Sequence, residues 1–196
     1  MSQVPSIKAT GFQSAADDLM KLIDAGRLPR EELEARLQPG DFRYLEKQLA
    51  ASTWVPIDIY RRIVEVLVEL EAQGSAEEYL HQRGVRAAQR LHKAGLYRQF
   101  EASPETWGRR VGKIATTMAA VLYNFTRWSF ETGEDRGTFQ IFVDEAQHFP
   151  EVARYTTQGF VEYVSCTLAG RSDHRVTSTR PTPDRVIYRG GAPKAR

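Results

Sequence analysis

The sequence predicts an α+β domain, an N-terminal helical layer packed on a four-stranded antiparallel sheet, with the strands confined to the C-terminal half. Three observations carry this. Up to about residue 118, apolar residues recur at three- and four-residue spacing, the period of a helix. Beyond it, aromatic and β-branched residues alternate with polar ones, as in strands with one buried face. Two pairs of these strand-like runs flank one amphipathic stretch, and β-β-α-β-β folds as two hairpins around a helix. The 196 residues suffice for one core, so 1–190 reads as one domain and 191–196 as a flexible tail.

The first helical signal starts at Ser14, carries Leu19, Met20 and Ile23, and stops at Gly26. Pro29 opens a short helix with Leu33 and Leu37, and Asp41 caps another with Phe42, Leu45 and Leu49. No strand is expected before Trp54. Trp54-Val55-Pro56 leads into the strongest helix, whose stripes Ile59, Ile63, Val66, Leu70 and Tyr60, Val64, Leu67 form a wide core-facing side. Trp54 is expected to fold over the start of that helix and be buried. Ser75 and Glu78 make a capping box for the next helix, which carries Leu80, Ala87, Ala88 and Leu91. Gly84 in its middle predicts close approach of another backbone. Ser103-Pro104 begins a helix with Trp107, Val111, Ile114 and Met118.

Val121 to Phe130 reads as the first strand, Gly133 to Gly137 as a turn, and Phe139, Ile141, Val143 as the second strand. Pro150 starts an amphipathic helix with Val152, Tyr155, Phe160, Tyr163, Val164 and Leu168, stopped by Gly170. His174 to Arg180 and Arg185 to Arg189 close the domain as a second hairpin.

A net charge of +2 does not call for nucleic acid or an anionic membrane as partner. The basic residues from Arg171 onward read as solvated strand faces and tail. The single cysteine, Cys166, excludes an internal disulfide and a multi-cysteine metal site, and its place on an apolar helix face predicts packing. With no leader-like N-terminus and no long apolar run, the expected address is cytoplasmic, without membrane insertion.

Two segments, Ile7-Lys8-Ala9-Thr10-Gly11-Phe12-Gln13-Ser14 and Ser52-Thr53-Trp54-Val55-Pro56-Ile57-Asp58-Ile59-Tyr60, resemble the opening of a myxobacterial family of domains of unknown function and similar length. The stretch from Gly159 through the last two strands resembles the end of the four-vinyl-reductase domain, in one superfamily with haem–nitric-oxide-binding domains and vesicle-tethering subunits. The resemblance implies helices over a four-stranded antiparallel sheet, with an apolar cavity between them in many relatives. It implies no catalytic residues, and the cysteine cluster of zinc-binding relatives is absent.

Among motifs, Val143-Asp144-Glu145 resembles the acidic strand end of a helicase, where Asp144 and Glu145 would hold magnesium. That chemistry needs a phosphate cradle. Gly108-Arg109-Arg110-Val111-Gly112-Lys113-Ile114 is one residue short of one, has isoleucine in place of the hydroxyl, and sits in a helical pattern. His81 and His92 are the haem-ligand candidates. They lie roughly 16 Å apart along one helix, so they cannot share an iron. Tyr123, Phe125, Trp128, Phe139, Phe160 and Tyr163 are the candidate lining of an apolar pocket, and core packing would use the same residues. The expectation is a non-enzymatic regulatory or sensory domain for an apolar small molecule or a protein partner, including a second copy, with no cofactor. Haem or gas sensing through one histidine is the alternative, and a nucleotide-dependent enzyme the remote one.

Overall fold

The computed structural model describes residues 4–46, 48–101, 105–133 and 138–191, and of Gln99 and Glu101 the backbone only. The chain begins with β1 (Ser6–Lys8), α1 (Ala9–Asp24), α2 (Arg30–Arg36), α3 (Phe42–Leu45) and β2 (Trp54–Pro56). Next come α4 (Ile57–Glu71), α5 (Ala76–Lys93), α6 (Arg98–Glu101) and α7 (Trp107–Leu122). The last part is β3 (Arg127–Thr132), β4 (Thr138–Asp144), a 3-10 turn (Ala146–His148), α8 (Glu151–Ala169), β5 (Arg175–Thr182) and β6 (Arg185–Gly191). The order β3-β4-β6-β5 is antiparallel throughout, so α8 links the two hairpins as the pattern predicts.

Cross-strand register explains the inner face of the sheet. Trp128, Val143 and Val186 form one row, and Phe130, Ile141, Tyr188 and Ser178 the next. In the third, Thr132, Phe139, Gly190 and Val176 stand side by side. A Cβ on Gly190 would lie 2.3 Å from the Phe139 ring, so the glycine gives that ring its place. β6 runs through Gly191, so that residue belongs to the sheet rather than to a tail, and residues 192–196 lie outside the described residues.

Several expectations are corrected. β1 precedes Trp54 and pairs antiparallel with β2, Ile7 opposite Val55, two strands too short to show a period. α1 starts at Ala9, five residues before the polar cap signal at Ser14, because the Ala9 amide donates to the Thr53 carbonyl at 2.9 Å. A backbone partner from β2's lead-in stands where a side-chain cap was expected. Asp41 does not cap α3. It is buried, takes a forked pair of 2.8 Å bonds from Arg62 and accepts from the Gln38 amide. α7 runs on through Leu122, so β3 starts at Arg127 rather than Val121. Trp54 is half-buried with the Lys8 ammonium 3.7 Å above its ring, while the neighbouring Val55 fills the core. Trp54→Ala is therefore expected to cost less than the ~3–5 kcal/mol of a fully buried aromatic. Cys166 is half-buried, and burial pushes its thiol pKa up. The Ser103-Pro104 start and most of the Gly133–Gly137 turn lie outside the described residues.

The capping box is half realised: the Glu78 amide donates to Ser75 Oγ at 3.2 Å, while the Glu78 carboxylate takes Gln82. Gly84 does what its position predicts. A Cβ there would sit 1.8 Å from the Thr156 carbonyl oxygen, and one on Gly159 would sit 1.9 Å from that of His81. α5 and α8 thus cross backbone to backbone. Beside the crossing, His81 Nε2 lies 3.4 Å from Glu162, which also accepts the Val176 amide at 2.8 Å. Glu162 raises the His81 pKa above its ordinary 6.5. Burial pushes the Glu162 carboxyl up, but the His81 and Val176 hydrogen bonds outweigh it and hold the pKa below 4.5.

Two outcomes follow from this crossing. Gly84→Ala, which in an open helix gains ~1 kcal/mol, is expected here to lose roughly 1–3 kcal/mol by overpacking. Thermal melting checks it, and an equal or higher midpoint contradicts the contact. The His81–Glu162 contribution is present below 6.5, is lost as pH rises through the raised His81 pKa, and on the acid side is lost only as Glu162 protonates below 4.5. The melting-temperature gap between wild type and Glu162→Gln should be widest between these limits and close at higher pH. A gap independent of pH would mean that the pair does not act as an ion pair.

Candidate functional site

A cavity of about 260 Å³ lies where α1, α5, α7 and α8 meet. Small residues make the room. α1 contributes Thr10, Gly11, Ser14 and Ala15, α5 contributes Arg83, Ala87, Arg90 and Leu91, and α7 contributes Ala115, Met118, Ala119 and Leu122. The remaining wall is Ile7, Tyr60, Tyr123, Trp128, Thr156, Thr157, Phe160 and Val161. Within each of the first three groups the spacing is three or four residues, one face of a helix. β1 helps to close the wall: Ile7 bridges Tyr123, and the Ser6 amide donates to Asn124 Oδ1 at 2.7 Å. The size lies just under the ~300–1,000 Å³ typical of ligand pockets.

Polar groups are few and sorted by depth. Tyr60 lies beside Thr156, and Tyr123 and Tyr188 lie beside Thr157. Burial pushes the Tyr60 pKa up and that of Tyr123 well up, so both are neutral phenols. Thr10 and Arg90 are the exposed residues of the lining and mark its mouth. Arg83, nearly buried, donates to Asp18 at 2.9 Å and to the Tyr79 hydroxyl at 3.3 Å. Arg90 donates to Ser14 Oγ at 3.1 Å.

Of the six candidate aromatics, the structure brings Tyr123, Trp128 and Phe160 to the cavity. Tyr123 and Trp128 stack with centroids 6.3 Å apart, and Phe149 meets both edge-on. Phe125 packs edge-on against Tyr123 without lining the cavity. Phe139 belongs to the sheet core against Trp107, and Tyr163 bonds to His92 Nδ1 at 2.9 Å. Most of the lining is not aromatic and carries no signal of that kind in the sequence. The available signal was the pairing of small residues four apart, Gly11 with Ala15 and Ala115 with Ala119.

Among the described residues, no histidine or cysteine lines the cavity. His81 faces Glu162, and His92 bonds to Tyr163 and stacks on Tyr97. His174 is buried against Ser165 at 3.0 Å, and burial pushes its pKa down. His148 is exposed in the 3-10 turn. Asp144 lies 3.4 Å from Arg185 and Glu145 lies 3.5 Å from Arg127, both away from the cavity lining. The Gly108–Ile114 segment is helical within α7, with Gly112 yielding space to the Phe130 ring 2.2 Å from its would-be Cβ, so it forms no phosphate loop. No group of three or more metal-ligating side chains occurs among the described residues. None of the described helices is long and apolar enough to cross a membrane.

No protein-family model matches the chain, and no curated protein matches it. Solved structures do share its fold. A Cs H-NOX mutant carrying 4-cyano-L-phenylalanine matches with a TM-score of 0.61 at 10% identity, covering 94% of this chain and 95% of that one. A mutant H-NOX of T. tengcongensis matches with a TM-score of 0.57 at 11% identity, covering 94% and 96%. An oxygen-binding H-NOX domain related to soluble guanylate cyclases, solved as its oxygen complex, matches at 0.56 and 10%, covering 94% of both chains. At these identities the likeness is one of fold: this chain has the α+β architecture of H-NOX domains over nearly its whole length.

Proposed function

We propose that this chain is a sensory domain whose ligand occupies the cavity between α1, α5, α7 and α8. The observation that carries the reading is the combination of that cavity with an H-NOX fold, since the structures that share the fold include an oxygen-binding domain and one studied for its haem redox potential. On that ground, haem or gas sensing is better supported than partner binding or an unspecified apolar ligand. The donor set limits it. A haem held by histidine does not fit this lining, because the four histidines are engaged or placed elsewhere and the phenols of Tyr60 and Tyr123 are kept protonated by burial. The reading is therefore an H-NOX-type sensor whose cavity holds its ligand without a histidine–iron bond. Nothing in it requires catalysis.

The test pairs two titrations. Haemin added to the purified chain is expected to keep the broad spectrum of free haemin, whereas a sharp Soret band at equimolar haemin would make haem the ligand. Toluene, a neutral apolar probe, is expected to raise the melting temperature by binding only the folded state. Ala119→Phe, which fills the cavity, should remove that rise. A rise that persists in the filled variant would put the ligand site elsewhere.

A further inference from the structure

The charges around the cavity are not balanced. Two arginines and no carboxylate belong to its lining. Seven residues apart on α5, they sit on one face, two turns or roughly 10 Å along the axis. α1 answers them in antiparallel order, Asp18 to Arg83 and Ser14 to Arg90. The Arg83 charge is thus compensated by a carboxylate, while that of Arg90 meets only a hydroxyl, and no described Asp or Glu pairs with it. An exposed guanidinium held by a neutral hydrogen bond exchanges it readily for a forked pair to an anion. It stands at the mouth, with Met118, Leu122 and Phe160 in the wall behind.

We infer that the cavity takes a small amphiphilic monocarboxylate, with its apolar body among α7 and α8 side chains and its carboxylate at the mouth on Arg90 and Ser14. The cavity volume suits a short apolar body, and the single uncompensated charge suits one anionic head. This rests on the cavity being the ligand site and names the class of ligand it holds.

Isothermal titration of the whole chain with octanoate and with octanol, an uncharged molecule of equal chain length, tests it. Octanoate is expected to bind roughly tenfold more tightly, the scale of a charge-assisted hydrogen bond. Arg90→Gln, at an exposed position, should bring octanoate down to the octanol level and leave octanol unchanged, with the same cooperative melt as wild type. Ala119→Phe should abolish both, with circular dichroism and a cooperative melt showing that it is folded. Equal binding of the two probes to wild type, lost in Ala119→Phe, would keep the cavity as the site and overturn the carboxylate inference. A preference for octanoate that survives Arg90→Gln overturns it as well. Absence of octanoate binding to wild type overturns it directly, and binding untouched by Ala119→Phe overturns the cavity reading itself.

Discussion

The backbone contacts of Gly84 with Thr156 and of Gly159 with His81 are the constraint from which the rest of the site follows. With glycine on both helices, α5 and α8 approach until carbonyl oxygens occupy the places where side chains would begin. That contact fixes the rotation of each helix. On α8 it turns Thr156, Thr157 and Phe160 toward the cavity, and on α5 it turns Ala87 and Leu91 there. The remaining face of α8 sends Val152 and Val164 into the core and carries Arg154, which donates to Ser178 Oγ at 2.7 Å and so ties the helix to β5. The Tyr188 hydroxyl of β6 donates to the Arg154 carbonyl at 3.2 Å, so the sheet is positioned by the same helix.

Arginines supply the links between helices that apolar packing leaves open. Arg62 ties α4 to Asp41 in front of α3, and Arg83 ties α5 to Asp18 on α1. A paired guanidinium at low exposure costs desolvation and is kept in place by its carboxylate, because removing the partner would leave a charge stranded. The α1–α5 gap is spanned by such polar pairs, and the cavity opens beside them. A rigid α5–α8 pair facing an α1 held by side-chain links is an arrangement in which a ligand between them bears on both.

The larger architecture was legible in the sequence because it rests on periodicity. Phe139, Ile141 and Val143 alternate, α4 carries two adjacent apolar stripes, and Gly84 interrupts a helix where only a backbone contact repays it. What was hidden depends on partners distant in the chain. β1 shows three residues and no period, and only its pairing with Val55 makes it a strand. The start of α1 is set by the Thr53 carbonyl, which no cap residue announces. Asp41 has the composition of a helix cap, yet Arg62, twenty-one residues on, claims its carboxylate. The cavity was half visible. Tyr123, Trp128 and Phe160 stood out as aromatics, whereas the space itself comes from Gly11, Ala15, Ala115 and Ala119, residues noticed only once their helices face one another. Phe139 and Tyr163 had the same chemistry and went to core and to His92, a choice made by register and helix rotation.

The site depends on an apolar space that persists between these four helices. A crystal of the chain pressurised with xenon measures this most directly, since xenon enters apolar cavities and scatters strongly. A xenon peak is expected within contact of Ala115, Met118 and Phe160. Side chains of Met118, Leu122 and Phe160 closed over the space, with no xenon between α1 and α7, would contradict it.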